Sequence, residues 1–269
     1  MNNLSLYRLI LFFVTFLYVN TSLSSTIVSH KAYYDLEFLT NETPSLVDGG
    51  TGKSSFFLEK QCKGWALKET FAITFSLNNK GSSKNFSIFS SFEDFKAKNF
   101  SFEHLDKNNF EQEMFYSGYV QKNKNILVGT YLNGIIFEKN NKKFTFNNDI
   151  LFPTEHLEIL LANAKKNINF HTAKVFFGSD KDNLVKIVSA FIGKKINSAL
   201  SLENDLLKKE VYPIQLSFYD LNQKNPDPKT KVIAYVDESG IAHSYTVDYG
   251  SYKMKGKLIS IEKVKRLKC

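Results

Sequence analysis

Phe71-Ala72-Ile73-Thr74-Phe75-Ser76-Leu77 is the stretch that decides the fold class. Bulky apolar side chains occupy every odd position, with small or hydroxylated ones between them. That period of two sends alternate residues to opposite faces of a strand and marks a sheet with one buried face. The rhythm reaches back to Trp65 and recurs along the chain, over Ile27 to Phe38, Lys53 to Glu59, Asn85 to Phe92, Asn99 to Leu105, Glu113 to Gln121 and Ile126 to Glu138. Asn133-Gly134 inside the last run is a hairpin signal that would split it in two. After residue 170 strands return at Thr172 to Phe177, Val185 to Ile192, Ile214 to Tyr219, Lys231 to Asp237, Ile241 to Tyr249 and Tyr252 to Val264, with Asp237 to Gly240 as a hairpin loop.

One segment departs from this. Leu157, Leu160, Leu161 and Ala164 lie at helical spacing behind Thr154, a candidate N-cap, with Glu155 and Glu158 at one end and Lys165 and Lys166 at the other. The pattern predicts an amphipathic helix over Thr154 to Lys166. Ser198 to Lys209 reads as a weaker helical or irregular piece. With 25 Phe, 13 Tyr and 14% aromatic content over 269 residues, the composition favours pleated surfaces. No fixed-period repeat or long linker interrupts the chain. The expectation is a mainly β protein built on one large, strongly curved antiparallel sheet with a single amphipathic helix.

The N-terminus carries an export pattern. Met1 to Arg8 holds one positive side chain, Leu9 to Val19 is an uncharged run of eleven residues, and Ser22 and Ser24 supply the small-x-small cleavage pattern. A spanning helix needs about 20 apolar residues, so this run reads as a signal peptide, residues 1–24, ahead of a domain over residues 25–269. No later stretch is long enough to cross a membrane. In an oxidising compartment the two cysteines, Cys62 and Cys269, are expected to pair, the alternative being two unpaired thiols.

Other chemistry is weak. Net charge is +8, but it is carried by scattered Lys, and with only Arg8 and Arg266 for bidentate phosphate contacts the chain is not read as a nucleic-acid binder. Val47-Asp48-Gly49-Gly50-Thr51-Gly52-Lys53-Ser54 imitates a phosphate loop without its first glycine and reads as a Gly-rich turn into a strand. His30, His104, His156, His171 and His243 show no metal-ligand spacing and read as strand or helix residues. No GxSxG elbow is present, and a Ser/His/Asp set has no local signature. Neither a cofactor nor a catalytic residue is assigned.

The ordered features resemble the EipB-type envelope-integrity proteins of alphaproteobacteria. The resemblance rests on Val28-Ser29-His30-Lys31-Ala32-Tyr33-Tyr34-Asp35-Leu36, Cys62 before Trp65, Leu151-Phe152-Pro153-Thr154-Glu155-His156 and Val175-Phe176-Phe177-Gly178-Ser179-Asp180. It continues through Tyr212-Pro213-Ile214, Phe218-Tyr219-Asp220, Asp248-Tyr249-Gly250 and terminal Cys269. Phe177 departs from it, standing where an acid would precede Gly-Ser. The resemblance implies a periplasmic β-spiral with a Cys62–Cys269 disulfide, a non-catalytic part in envelope integrity under stress, and a periplasmic tetratricopeptide-repeat partner. Two alternatives remain open: a carrier sheltering a lipid or other envelope component in an apolar cavity, with the helix as a plug, and an envelope hydrolase.

Overall fold

The computed structural model describes residues 26–40, 47–77, 81–109, 112–123, 126–135, 138–147, 149–179, 184–265 and 269. The export segment and residues 180–183 lie outside them. The alternating sequence forms long strands joined by short turns. β1 (His30–Thr40), β2 (Val47–Lys60), β3 (Gly64–Leu77), β4 (Gly81–Asp94), β5 (Asn99–Asn108), β6 (Gln112–Asn123), β7 (Ile126–Ile135) and β8 (Glu138–Asn147) are a continuous antiparallel meander. β9 (Ile150–Leu151) leads into helix α1 (Pro153–Lys165). The return wing is β10 (Phe170–Phe176), β11 (Val185–Ile192), β12 (Ile196–Asn197), β13 (Glu210–Asp220), β14 (Thr230–Asp237), β15 (Ala242–Asp248) and β16 (Tyr252–Lys263).

The two wings join where β1 pairs with β16, from His30 opposite Lys263 to Thr40 opposite Tyr252. Every ladder is antiparallel except that of β9 with β10. β8 and β9 end the sheet without pairing to each other, so it is not a closed barrel. Curvature brings the wings together all the same. Phe100 and Phe102 of β5 and Tyr116 and Val120 of β6 share a buried cluster with Ile150, Phe152 and Phe176 from the opposite end, and β7 and β8 continue past this contact. The result is an overlapping spiral.

Helix α1 fills the space between the wings. Leu160, Leu161 and Ala164 pack with Leu58 and Trp65 on one side and with Ala190, Ile192, Ile214 and Val236 on the other. Pro153 takes the first helical position, where its missing N–H costs nothing. The N-cap is Phe152, so the expected cap, Thr154, lies two residues too late. Glu93 of β4 caps the helix instead, its carboxylate accepting the N–H groups of Thr154 and Glu155 at 2.8 Å each. Glu155 in turn accepts from Phe152 N–H and from Lys122 Nζ, both at 3.2 Å.

Two further expectations are corrected, and a third is decided between its two alternatives. The Val47 to Ser54 segment is strand: Gly50 and Gly52 pair with Phe75 and Ile73, and a Cβ at either would run into the neighbouring backbone. Asn133 and Gly134 lie within β7, opposite Tyr116 and Phe115, so the β7–β8 turn falls later. Ser198 to Lys209 is irregular, held by hydrogen bonds described below.

Candidate functional site

The return wing has two unlike faces. Its inward residues are covered by α1, while the alternate residues point away and stay bare. Pairing register sets Phe170 opposite Phe191, Phe191 opposite Gln215 and Gln215 opposite Ile233. Phe170 is 64% exposed, Phe191 58% and Ile233 41%. The next row sets Pro213 opposite the exposed Tyr235, and exposed Ile196 pairs with Val211 one row further on. Exposed Lys194, Lys195, Lys231, Lys255 and Lys257 surround this apolar strip. Exposed Gln215 interrupts the row between Phe191 and Ile233, and large exposed apolar side chains grouped on one face with a polar rim are how soluble proteins present a binding face.

The seam of the two wings is closed covalently. Cys62 lies in the tight turn between β2 and β3, where Gln61 N–H donates to the Gly64 carbonyl at 2.8 Å. It is bonded to Cys269, with the Cα atoms 5.5 Å apart. Lys60 lies over the rings of Trp65 and Phe95 beside this turn.

Comparison with known proteins agrees with this architecture. The family model described as EipB-like matches residues 22–265. The chain belongs to the EipB-like family. It is 23% identical over 241 residues to the cell envelope integrity protein EipB of Brucella abortus (strain 2308), covering 88% of this chain and 84% of that protein. The crystal structure of a beta-barrel-like protein of a domain of unknown function, also from Brucella abortus, superposes with a TM-score of 0.80 at 21% identity, over 89% of this chain and 99% of that one.

Inside the spiral of this EipB-like chain, lateral rows of side chains cross the strands. Ala32, Phe56, Glu69, Phe89, His104 and Tyr116 form one, and Tyr34, Ser54, Phe71, Ser87, Asp106 and Met114 the next. Several of the aromatic members are only half-buried. Burial pushes the Glu69 carboxyl up to about 7, against a small opposing pull from His104, although the residue keeps partial solvent access. Burial likewise pushes the Tyr249 phenol up to about 12 while 43% of that residue is exposed. Glu69 and the half-buried aromatic residues of these rows share the sheet face of the buried Ala32, Tyr34 and Tyr116, which is the interior of the curve. Tyr245 reaches across it, its hydroxyl 3.1 Å from Ser54 Oγ. His104 is fixed by Ser87 Oγ at 2.9 Å, Asp106 at 3.1 Å and the Tyr116 hydroxyl.

A Ser/His/Asp chain does exist, assembled from residues too far apart to carry a local signature. Ser198 Oγ lies 2.6 Å from His243 Nδ1, and His243 Nε2 lies 3.2 Å from Asp237 Oδ2. Asp237 also accepts the N–H groups of Ser239, Ile241 and Lys208 at 2.8, 3.1 and 3.1 Å. The Leu200 N–H donates to Ser198 Oγ at 3.1 Å. With Nε2–H donating to the carboxylate, Nδ1 accepts the serine proton. Ser198 and Asp237 thus also hold backbone, and with His243 between them they tie the irregular 198–209 segment to the β14–β15 hairpin. Among the described residues no group of three or more His, Cys, Asp or Glu is placed to hold a metal. No described helix is long and apolar enough to cross a membrane.

Proposed function

We propose that this protein is an exported, non-catalytic periplasmic component that supports envelope integrity under stress by holding a protein partner on the outer face of β10, β11, β13 and β14. Membership of the family and likeness to a protein named for envelope integrity support the general role. The exposed Phe170–Phe191–Ile233 strip carries the finer reading, because three large apolar residues share one sheet face that no other described element covers. Its basic rim favours a partner with an acidic border around an apolar patch, and a periplasmic tetratricopeptide-repeat protein is the candidate that the family resemblance implies.

The test is complementation of a strain lacking the gene under detergent stress. Phe191→Lys with Ile233→Lys is expected to fold with unchanged circular dichroism, lose protection, and lose crosslinking between position 170 and the repeat protein. Full protection by the double variant overturns the proposal. A second reading, a carrier for a lipid or acyl chain, draws support from the half-buried interior residues Phe56, Phe71, Ile73, Phe75 and Phe89. Lipid retained in native mass spectra, and lost on Phe71→Asp, would favour it.

A further inference from the structure

A cleft of about 460 Å³ opens on the outer side of the sheet, where the start of the irregular 198–209 segment lies against β14, β15 and β16. Pairing register builds the sheet side of it. Tyr235 stands opposite Ser244 and Ser244 opposite Lys257, so the three form one row across the strands. Lys255 lies two residues along β16 on the same face, about 7 Å away. Ile196 and Leu200 line the cleft from the segment side, and the buried Val211 and His243 complete it. The wall is a fixed one. Ser198 N–H donates to the Lys209 carbonyl at 2.8 Å, and Ser198 Oγ is held by His243 at 2.6 Å.

The lining carries two ammonium groups and no carboxylate. Among the described residues neither Lys255 nor Lys257 has an ion-pair partner. The acids nearby are engaged or stand outside the lining. Asp237 accepts from His243 and from three backbone N–H groups, and Glu210 and Glu238 meet Lys195 at 3.2 and 3.7 Å. On β1, Asp35 opposite Lys257 meets Lys53 at 3.9 Å, while Glu37 opposite Lys255 is not part of the cleft. A cation is therefore repelled here. A small inorganic anion would meet only exposed ammonium groups, a contact that water weakens, and would leave Ile196, Leu200 and Tyr235 wet. An anion borne on an apolar chain satisfies both parts of the lining. The volume falls within the range of small-molecule sites, about 300–1,000 Å³, and this narrow concavity suits one chain rather than the paired chains of a bilayer phospholipid.

We propose that this cleft binds a single-chain anionic amphiphile, its phosphate or carboxylate head on Lys255, Lys257 and the Ser244 hydroxyl and its chain along Tyr235, Ile196 and Leu200. The Phe170–Phe191–Ile233 row is not part of the lining, so the site does not rest on the partner reading. The disulfide-intact protein is titrated calorimetrically at low salt with octyl phosphate below its micelle-forming concentration. One molecule per chain is expected. Lys255→Ala with Lys257→Ala should weaken binding by about 10-fold or more with unchanged circular dichroism, whereas Lys255→Arg with Lys257→Arg retains it. Phe191→Thr, which tests the partner strip, should leave octyl phosphate binding unchanged, so the two readings fail independently. Absence of saturable binding, or binding undiminished in the double alanine variant, overturns the proposal. So does equal affinity for octyltrimethylammonium or inorganic phosphate, or binding to phosphatidylglycerol vesicles without binding to the free amphiphile.

Discussion

Breaking the Cys62–Cys269 bond isolates the contribution of chain closure from that of the sheet. The sulfurs join residues 207 apart, so the ring holds 207 + 1 = 208 residues. Loop entropy for a ring of that size gives roughly 5 kcal/mol, an upper figure because the denatured chain retains structure of its own. For a chain of this length each kcal/mol moves the midpoint about 2–4 °C, so the expected loss is roughly 10–20 °C. The native ladder does not need the bond. β16 remains paired with β1 from His30–Lys263 to Thr40–Tyr252, and with β15 on its other side. Circular dichroism of Cys62→Ser/Cys269→Ser at 25 °C should therefore match the oxidised wild type while the thermal midpoint falls. Cys62→Ser alone leaves Cys269 free at the chain end and should give disulfide-linked dimers under oxidising conditions. A double variant melting within about 2 °C of the wild type would refute the reasoning.

Two further substitutions probe the interior. Glu93→Ala leaves the Thr154 and Glu155 N–H groups without their acceptor and should cost about 3–5 kcal/mol in urea unfolding, whereas Glu93→Gln, which keeps one acceptor, should cost less. Burial raises the Glu93 carboxyl to about 7, despite the opposing N–H groups, so the native state binds its proton more tightly than the unfolded chain does. That contribution is complete below about 4.5 and is lost as pH rises through 7. The wild type should thus lose up to about 3 kcal/mol relative to Glu93→Gln over this range, and parallel pH profiles would contradict it. Gly256→Ala drives a Cβ into the Tyr245 ring, which must shift away from Ser54. The expected cost is about 1–3 kcal/mol, read as a lower urea midpoint, and an unchanged midpoint would mean that the ring moves freely.

The strands were legible wherever one face is buried and the other wet, because burial writes a period of two into the sequence. β3 and β11 appear within one residue of the alternation that predicts them. Legibility failed where that cause is missing. The first half of β2 is glycine-rich because the Phe38 ring and the β3 backbone crowd it, and glycine leaves no alternation to read. β8, Glu138–Asn147, opens with Glu, Lys and Asn through Lys143 and offers no apolar rhythm there. The helix was plain from its leucines, but its cap comes from Glu93, some sixty residues earlier, and only the fold brings it there. The same holds for Ser198–His243–Asp237, for the cleft that joins Ile196 to Tyr235 and Lys257, and for the Phe170–Phe191–Ile233 strip. Each depends on which strands are neighbours and in what register.

That strip admits a purely local cause, and the two causes separate experimentally. Aromatic and β-branched residues suit strands intrinsically, and a directly opposed aromatic pair such as Phe170 and Phe191 adds about 0.2–1 kcal/mol to a ladder. If ladder strength is the whole reason for these residues, Phe191→Thr, which keeps β propensity but removes the ring, lowers the midpoint slightly and leaves envelope protection intact. If a partner sits there, the same substitution costs little stability but weakens protection, since a central aromatic anchor commonly contributes more than 1 kcal/mol to binding. α1 sharpens the distinction. It covers the inward face of these strands, so the ladder is already stabilised from within, and the outer rings have little stability left to add. Protection unchanged in Phe191→Thr, alongside a measurable drop in midpoint, would return the strip to the status of ordinary sheet surface.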